Sequence, residues 1–161
     1  MRQQTFYLNE ESDTCALGNA LAHILQAGLK IYLYGDLGSG KTTLTRALLK
    51  AAGHQGKVKS PTYTLVESYR LTLNGQPTEL LHFDLYRMGC ADEFDDAGFR
   101  EHFNENTICV IEWADKADSE LPLPDITVTF DVQDNGRTAR LEALSEKGSR
   151  CLENLRYSSR T

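Results

Sequence analysis

Eight residues between Gly35 and Thr42 carry the chemistry that is easiest to read in this chain. Gly35, Gly40, Lys41 and Thr42, in "GDLGSGKT", match the spacing G-x-x-x-x-G-K-[ST]. Such a turn gives up side chains so that backbone N–H groups can curl around a phosphate just ahead of a helix N-terminus. A lysine in this setting reaches the β and γ phosphates of a nucleotide, and the hydroxyl after it binds Mg²⁺. Lys41 and Thr42 take those roles, with Asp36, Leu37, Gly38, Ser39, Gly40 and Thr43 supplying the rest of the cradle.

A magnesium ion against a triphosphate also needs an acidic partner at the end of a neighbouring buried strand. Glu112 closes "TICVIE" and Asp84 closes "ELLHFD", and both follow apolar runs that end where α/β folds bind their ligands. Glu112 is assigned to the metal and Asp84 to positioning water or the metal's own waters, though the two roles are interchangeable on sequence grounds. Trp113, the chain's single tryptophan, adjoins Glu112 and is expected within sight of the nucleotide. Ser60, Thr62 and Thr64, in "KSPTYTLVE", lie where many nucleoside triphosphatases keep a loop that senses the γ-phosphate. Glu11 and Arg137 are weaker candidates for touching the nucleoside. Arg87, in "HFDLYR", follows Asp84 closely enough to pair with it, which leaves no obvious arginine finger.

The elements that must position these residues follow from periodicity and punctuation. "QTFYL" reads as a short opening strand. Ser12 is expected to cap a helix with Leu17, Leu21, Ile24 and Leu25 on its apolar face and Gly28 at its end. His23 lies on the same segment and is given no chemistry. "LKIYLYG" is a nearly continuous apolar run, as suits a strand of a parallel sheet covered on both faces. The glycine turn then opens the helix "KTTLTRALLKAAG". Two strand-like runs flank Asn74-Gly75, a two-residue hairpin signal. "ADEFDDAGFREHF" reads as an amphipathic helix, "TICVIEW" as a buried strand, residues 113–124 as a loop, and the runs either side of "DNG" as a last hairpin. The fold class is therefore α/β: a layered fold like that of P-loop NTPases, its central sheet mostly parallel with inserted antiparallel hairpins.

At 161 residues the chain has the length of one domain, taken as residues 1–161. No run approaches the ~20 apolar residues of a membrane span, and the N-terminus has no apolar signal core, so a cytoplasmic protein without membrane contact is expected. Cys15, Cys90, Cys109 and Cys151 lack CxxC spacing and read as buried, reduced thiols. A net charge of −6 argues against a long basic track for nucleic acid, although basic residues gather at "GKVK" and around Arg150, Arg156 and Arg160.

Four stretches, "GDLGSGKTTLTRALL", "SPTYTLVESY", "HFDLYR" and "IEWAD", occur in this order from Gly35 to Asp115. Together they resemble the bacterial tRNA threonylcarbamoyladenosine biosynthesis ATPase family, TsaE. The resemblance implies an ATPase that uses ATP and Mg²⁺ and works with two partner subunits, of the TsaB and TsaD type, which modify tRNA beside the anticodon. tRNA is then met through the complex. By motif, Lys41, Thr42, Asp84, Glu112 and Trp113 fall on the family's functional positions. Two other classes fit less well. A GTP-binding switch would use "DDAG" (Asp95 to Gly98) and "DKAD" (Asp115 to Asp118), but the first follows no strand and the second has Asp115 where an asparagine should read the base. A small-molecule kinase would need an acceptor pocket and an arginine-bearing lid, for which the chain leaves little room.

Overall fold

A computed structural model describes residues 2–61 and 63–157. Seven strands form one sheet: β1 (Gln3–Leu8), β2 (Lys30–Tyr34), β3 (Val66–Leu73), β4 (Gln76–Asp84), β5 (Thr107–Glu112), β6 (Ile126–Gln133) and β7 (Gly136–Ala143). Their spatial order is β1-β7-β6-β2-β5-β4-β3. The middle four, β6, β2, β5 and β4, run parallel, whereas β3 against β4, β7 against β6 and β1 against β7 are antiparallel. The two hairpins expected from Asn74-Gly75 and "DNG" are thus the flanks of the same sheet.

The parallel strands are apolar along their length because both faces are covered. Alternate residues separate cleanly: Ile31, Leu33, Ile108 and Val110 join a core with Leu17, Leu21, Leu44 and Leu48, while Tyr32, Cys109 and Ile111 join Phe83, Phe94 and Phe99 on the other side. Helices α1 (Glu11–Ala22) and α2 (Lys41–Ala51) make the first layer. They cross closely at Gly18, where a Cβ would lie 2.7 Å from the Leu44 carbonyl oxygen and 2.8 Å from the Ala47 Cβ. That contact fixes α2, and with it the turn at its N-terminus, against the rest of the molecule.

Several local expectations change. Asp13, not Ser12, satisfies the start of α1: its Oδ2 accepts the backbone N–H groups of Asn9 and Glu10 at 2.9 and 3.2 Å. Ser12 is exposed within the helix. The helix ends at Ala22, and Ile24, Leu25 and Gly28 lie in the turns beyond it, with both apolar side chains buried. The segment read as one amphipathic helix is α3 (Asp92–Asp96) and a 3₁₀ turn (Phe99–His102), parted by Gly98 at φ 74°. Two anchors, Phe94 and Phe99, pack against Phe83 and take the place of a continuous apolar stripe. A second 3₁₀ stretch (Ala114–Glu120) occupies the supposed loop, and α4 (Glu146–Glu153), capped by Ser145 Oγ, was not foreseen. Of the cysteines, Cys109 and Cys151 are buried, but Cys15 is half-buried and Cys90 exposed, because it sits in a surface turn and not on an apolar face. Burial pushes the Cys109 thiol up to about 12. Among the described residues no helix is long and apolar enough to cross a membrane.

Candidate functional site

The parallel strands β2, β5 and β4 end side by side, and the side chains that could do chemistry lie at that edge. Asp84 pairs with Glu112 across β4 and β5. The turn between β2 and α2 climbs over the same edge and closes on Gly40, whose φ of 114° lies in the left-handed region open to glycine. A Cβ on Gly40 would also come within 2.9 Å of Arg137 Nη1. The backbone conformation is what calls for glycine there, since the arginine tip could shift aside.

A cavity of about 450 Å³ opens above this edge. Its walls include Leu37, Gly38, Gly40, Lys41, Thr42 and Thr43 from the turn, Asp84 and Glu112 from the strand ends, and Trp113, Glu11 and Arg137 around the rim. Two members of the expected cradle stand aside. Asp36 is exposed and faces a neighbouring depression with Asp115, and Ser39 is buried with its Oγ unpartnered among the described residues. Arg137 Nη1 donates to the backbone carbonyls of Ser39 and Gly38, so it braces the turn as well as lining the cavity.

Lys41 is buried, its Nζ donating to the Gly35 carbonyl and lying 3.8 Å from the centre of the Trp113 ring. Burial pushes its pKa below the usual lysine range, against the pull of Glu112, Asp84, Asp115 and Asp36. Trp113 itself has φ 60°, a left-handed conformation that is uncommon outside glycine and clusters at functional sites. Thr42 Oγ1 lies 3.3 and 3.4 Å from the two Glu112 oxygens, long for hydroxyl donation to a carboxylate. Glu112 is 2% exposed. Asp84 is half-buried and accepts the Tyr86 backbone N–H at 3.1 Å; burial raises its pKa, and the Glu112 carboxylate adds to the rise.

Not every expected residue arrives. Thr64 is exposed and its hydroxyl donates to Glu67, because the chain from Tyr63 onward turns down into β3. Ser60 is exposed and absent from the cavity wall, and Thr62 lies outside the described residues, as does Arg160. Arg87 does not pair with Asp84. Its guanidinium lies 5.0 Å from the centre of the exposed Tyr63 ring, and the residue lines the cavity.

Three residues were missed. Thr14, buried with a hydroxyl that has no partner among the described residues, and Tyr86 line the cavity. His82 is fully buried, with Nε2 2.6 Å from Glu112 Oε2. Its signal was available: a histidine inside "LLHFD" must find a polar partner, and two residues before Asp84 it shares that residue's face of the strand.

Among the described residues no three histidine, cysteine or acidic side chains gather to hold a metal unaided. What the edge offers is a hydroxyl and two carboxylates, hard oxygen donors that form an incomplete shell. That suits Mg²⁺, which keeps several waters and takes its remaining ligands from phosphate. The turn's backbone and the Lys41 ammonium suit the phosphate.

The sheet order, the strand-turn-helix and the edge they form define a layered α/β fold of the P-loop type. The crystal structure of YdiB from Bacillus subtilis superposes with a TM-score of 0.73, covering 96% of this chain and 94% of that one at 25% identity. A family model described as threonylcarbamoyl adenosine biosynthesis protein TsaE matches residues 8–141, and the chain belongs to that family. A TsaE of Haemophilus influenzae is 42% identical over 92% of this chain and 94% of its own length. One from Treponema pallidum is 35% identical over 77% of this chain and 88% of its own.

Proposed function

We propose that the protein is an ATPase that hydrolyses ATP to ADP and phosphate with Mg²⁺, as an accessory to the threonylcarbamoyladenosine modification of tRNA beside the anticodon. Its partners are subunits of the TsaB and TsaD type, it works in the cytoplasm, and it meets tRNA through the complex. One observation carries the reading: in a member of the TsaE family, Lys41, Thr42, Asp84 and Glu112 converge on one cavity at the mouth of the phosphate-binding turn. The names of the relatives supply the modification, and the net charge of −6 favours a protein partner over direct capture of tRNA.

Catalysis of this kind rests on positioning and charge neutralisation. Bound Mg²⁺ supplies further neutralisation of the β and γ phosphates. Thr42 and Glu112 would hold it, the Thr42 hydroxyl making only a long contact of 3.3 Å with the carboxylate that a metal could replace. Lys41 exchanges the Gly35 carbonyl for phosphate oxygens. Asp84, whose pKa burial raises, orients the attacking water, and its carboxylate is the stronger base for that rise when it accepts the water's proton. Trp113 and Tyr86, with rings 4.9 Å apart, wall the site against bulk water. Glu11 and Arg137 face the nucleoside from the rim, and Arg87 is a further cation that lines the cavity beside Lys41.

The test is to combine the protein with TsaB- and TsaD-type subunits and follow both phosphate release and tRNA modification, with ATP, with GTP and without nucleotide. Modification is expected only with ATP, and the partners are expected to raise the rate of phosphate release. Modification that proceeds equally without this protein would overturn the accessory role. If the protein alone hydrolyses as fast as the mixture, the partners do not complete the site, and Arg87 acting within the chain becomes the residue to test.

A further inference from the structure

We propose that His82 is a positioning residue for the metal site: it grips one oxygen of Glu112 so that the other is presented to the metal. The inference rests on the reading of Glu112 as a metal ligand. His82 lies in β4 opposite Val110 of β5, and Glu112 lies opposite Asp84, so the imidazole and the carboxylate face each other diagonally across adjacent parallel strands. The Nε2–Oε2 distance is 2.6 Å, and both side chains are buried, at 0% and 3% exposure. A contact that short, between two buried groups, fixes the carboxylate far more firmly than Thr42 does at 3.3 and 3.4 Å.

The hydrogen of that bond is assigned by elimination. Nδ1 of His82 is buried and has no partner among the described residues. An N–H there would be left without an acceptor, whereas a bare lone pair costs less, so the hydrogen belongs on Nε2 and is donated to Oε2. Oε2 then has one lone pair committed, and Oε1 is the oxygen left for an incoming ligand. The residues either side of His82, Leu81 and Phe83, point into the opposite core and cannot reach Glu112. An apolar residue at position 82 would pack as well, but it would leave Glu112 free to rotate and without its donor. Outer partners of this kind commonly carry about 10- to 100-fold of metal affinity.

The test compares His82→Gln, His82→Asn and His82→Leu. A glutamine amide reaches the place of Nε2 and can donate to Glu112, whereas an asparagine amide reaches only the place of Nδ1. Mn²⁺ binding to the protein with ADP is titrated by the loss of the free-ion electron paramagnetic resonance signal, and ADP binding is measured separately with the metal chelated. His82→Gln is expected to bind Mn²⁺ within about threefold of wild type, and His82→Asn and His82→Leu at least about tenfold more weakly, with metal-free ADP binding unchanged in all three. Should His82→Leu fail to fold, the two amides decide alone, since a merely structural need for a buried polar group is met by either. Equal Mn²⁺ affinity in the glutamine and asparagine variants, or a parallel loss of metal-free ADP binding, would overturn the inference. Failure of the wild type to bind Mn²⁺ with ADP would overturn the metal site itself, and the two failures are distinct.

Discussion

Two carboxylates, Glu112 and Asp125, lie at the ends of parallel strands, both below 10% exposure, and they do different things. Asp125 stands just before β6, at the edge away from the cavity. Its Oδ2 accepts the Lys30 backbone N–H at 2.9 Å, and its Oδ1 accepts the Ser145 hydroxyl at 2.7 Å, while Ser145 in turn caps α4. Each oxygen of that buried carboxylate thus receives a close donor from the protein, and the result ties β2, β6 and α4 together. Glu112, at the opposite edge, receives one short bond from His82 and two long contacts from Thr42. A buried carboxylate whose protein donors leave it unfinished is held ready for a ligand, whereas one whose donors are complete is a structural joint.

The comparison breaks most directly by exchanging the consequences of mutation. Glu112→Gln is expected to lower phosphate release by about 10²- to 10³-fold, the loss typical when one charge-stabilising group is removed from an active site. It should leave the melting temperature unchanged or higher, since a buried charge goes and the amide oxygen can still accept from His82. Asp125→Ala should do the reverse. It strands the Lys30 N–H and uncouples Ser145, for a cost of about 2 to 4 kcal/mol, with nucleotide binding per folded molecule retained. Thermal unfolding and phosphate release on both variants check this, and a Glu112→Gln protein that melts well below wild type would make Glu112 a joint after all.

The same contrast explains what could be read in the sequence. The parallel strands, the glycine turn and the two hairpins were legible because each has a local signature: an unbroken apolar run, a spacing, an Asn-Gly pair. Glu112 and Asp84 were legible as strand ends. Asp125 was not, because its partners, Lys30 and Ser145, are distant in sequence and no pattern announces them. The break at Gly98 was hidden because Phe94 and Phe99 imitate a helical stripe while anchoring two separate turns. Thr64 was misplaced for a like reason, since hydroxyls after a phosphate-binding helix suit a sensing loop, yet here the direction of β3 carries this one to Glu67. Arg87 was expected on Asp84 because the two are close in sequence, and only packing puts it on Tyr63.

A smaller effect sharpens the comparison from the side of pH. Burial, helped by repulsion from Glu112, holds the Asp84 carboxyl above its ordinary 3.8. The folded protein therefore keeps this proton at pH values where the unfolded chain has already lost it. Stability falls as pH rises through the window from 3.8 to the raised value, and stays lower above it. Asp84→Asn has no such group to ionise, so it should melt higher than wild type near neutral pH, with the gap closing toward about pH 4. Melting curves of both proteins without nucleotide across that range test it. An asparagine variant less stable than wild type at neutral pH would mean that Asp84, like Asp125, is a satisfied joint.

The smallest expected signal is optical, and it reports on the ligand-facing edge alone. Trp113 is the single tryptophan, next in sequence to Glu112, with the Lys41 ammonium 3.8 Å from its ring centre. When phosphates draw Lys41 away from Gly35, that cation leaves the face of the indole, and the emission must respond to the lost charge. ADP or ATP with Mg²⁺ is therefore expected to change the fluorescence of the wild type, and Lys41→Ala, which has no cation to move, should lose most of the change while staying folded by circular dichroism. Asp125→Ala, where folded, should keep it in full, because that carboxylate belongs to the other edge. Glu112→Gln should keep the response to nucleotide alone and lose the part that Mg²⁺ adds. An unchanged wild-type spectrum at saturating nucleotide would mean that Lys41 does not leave the indole on binding, and the short contact with Gly35 would then be a permanent feature of the turn in place of one that phosphate replaces.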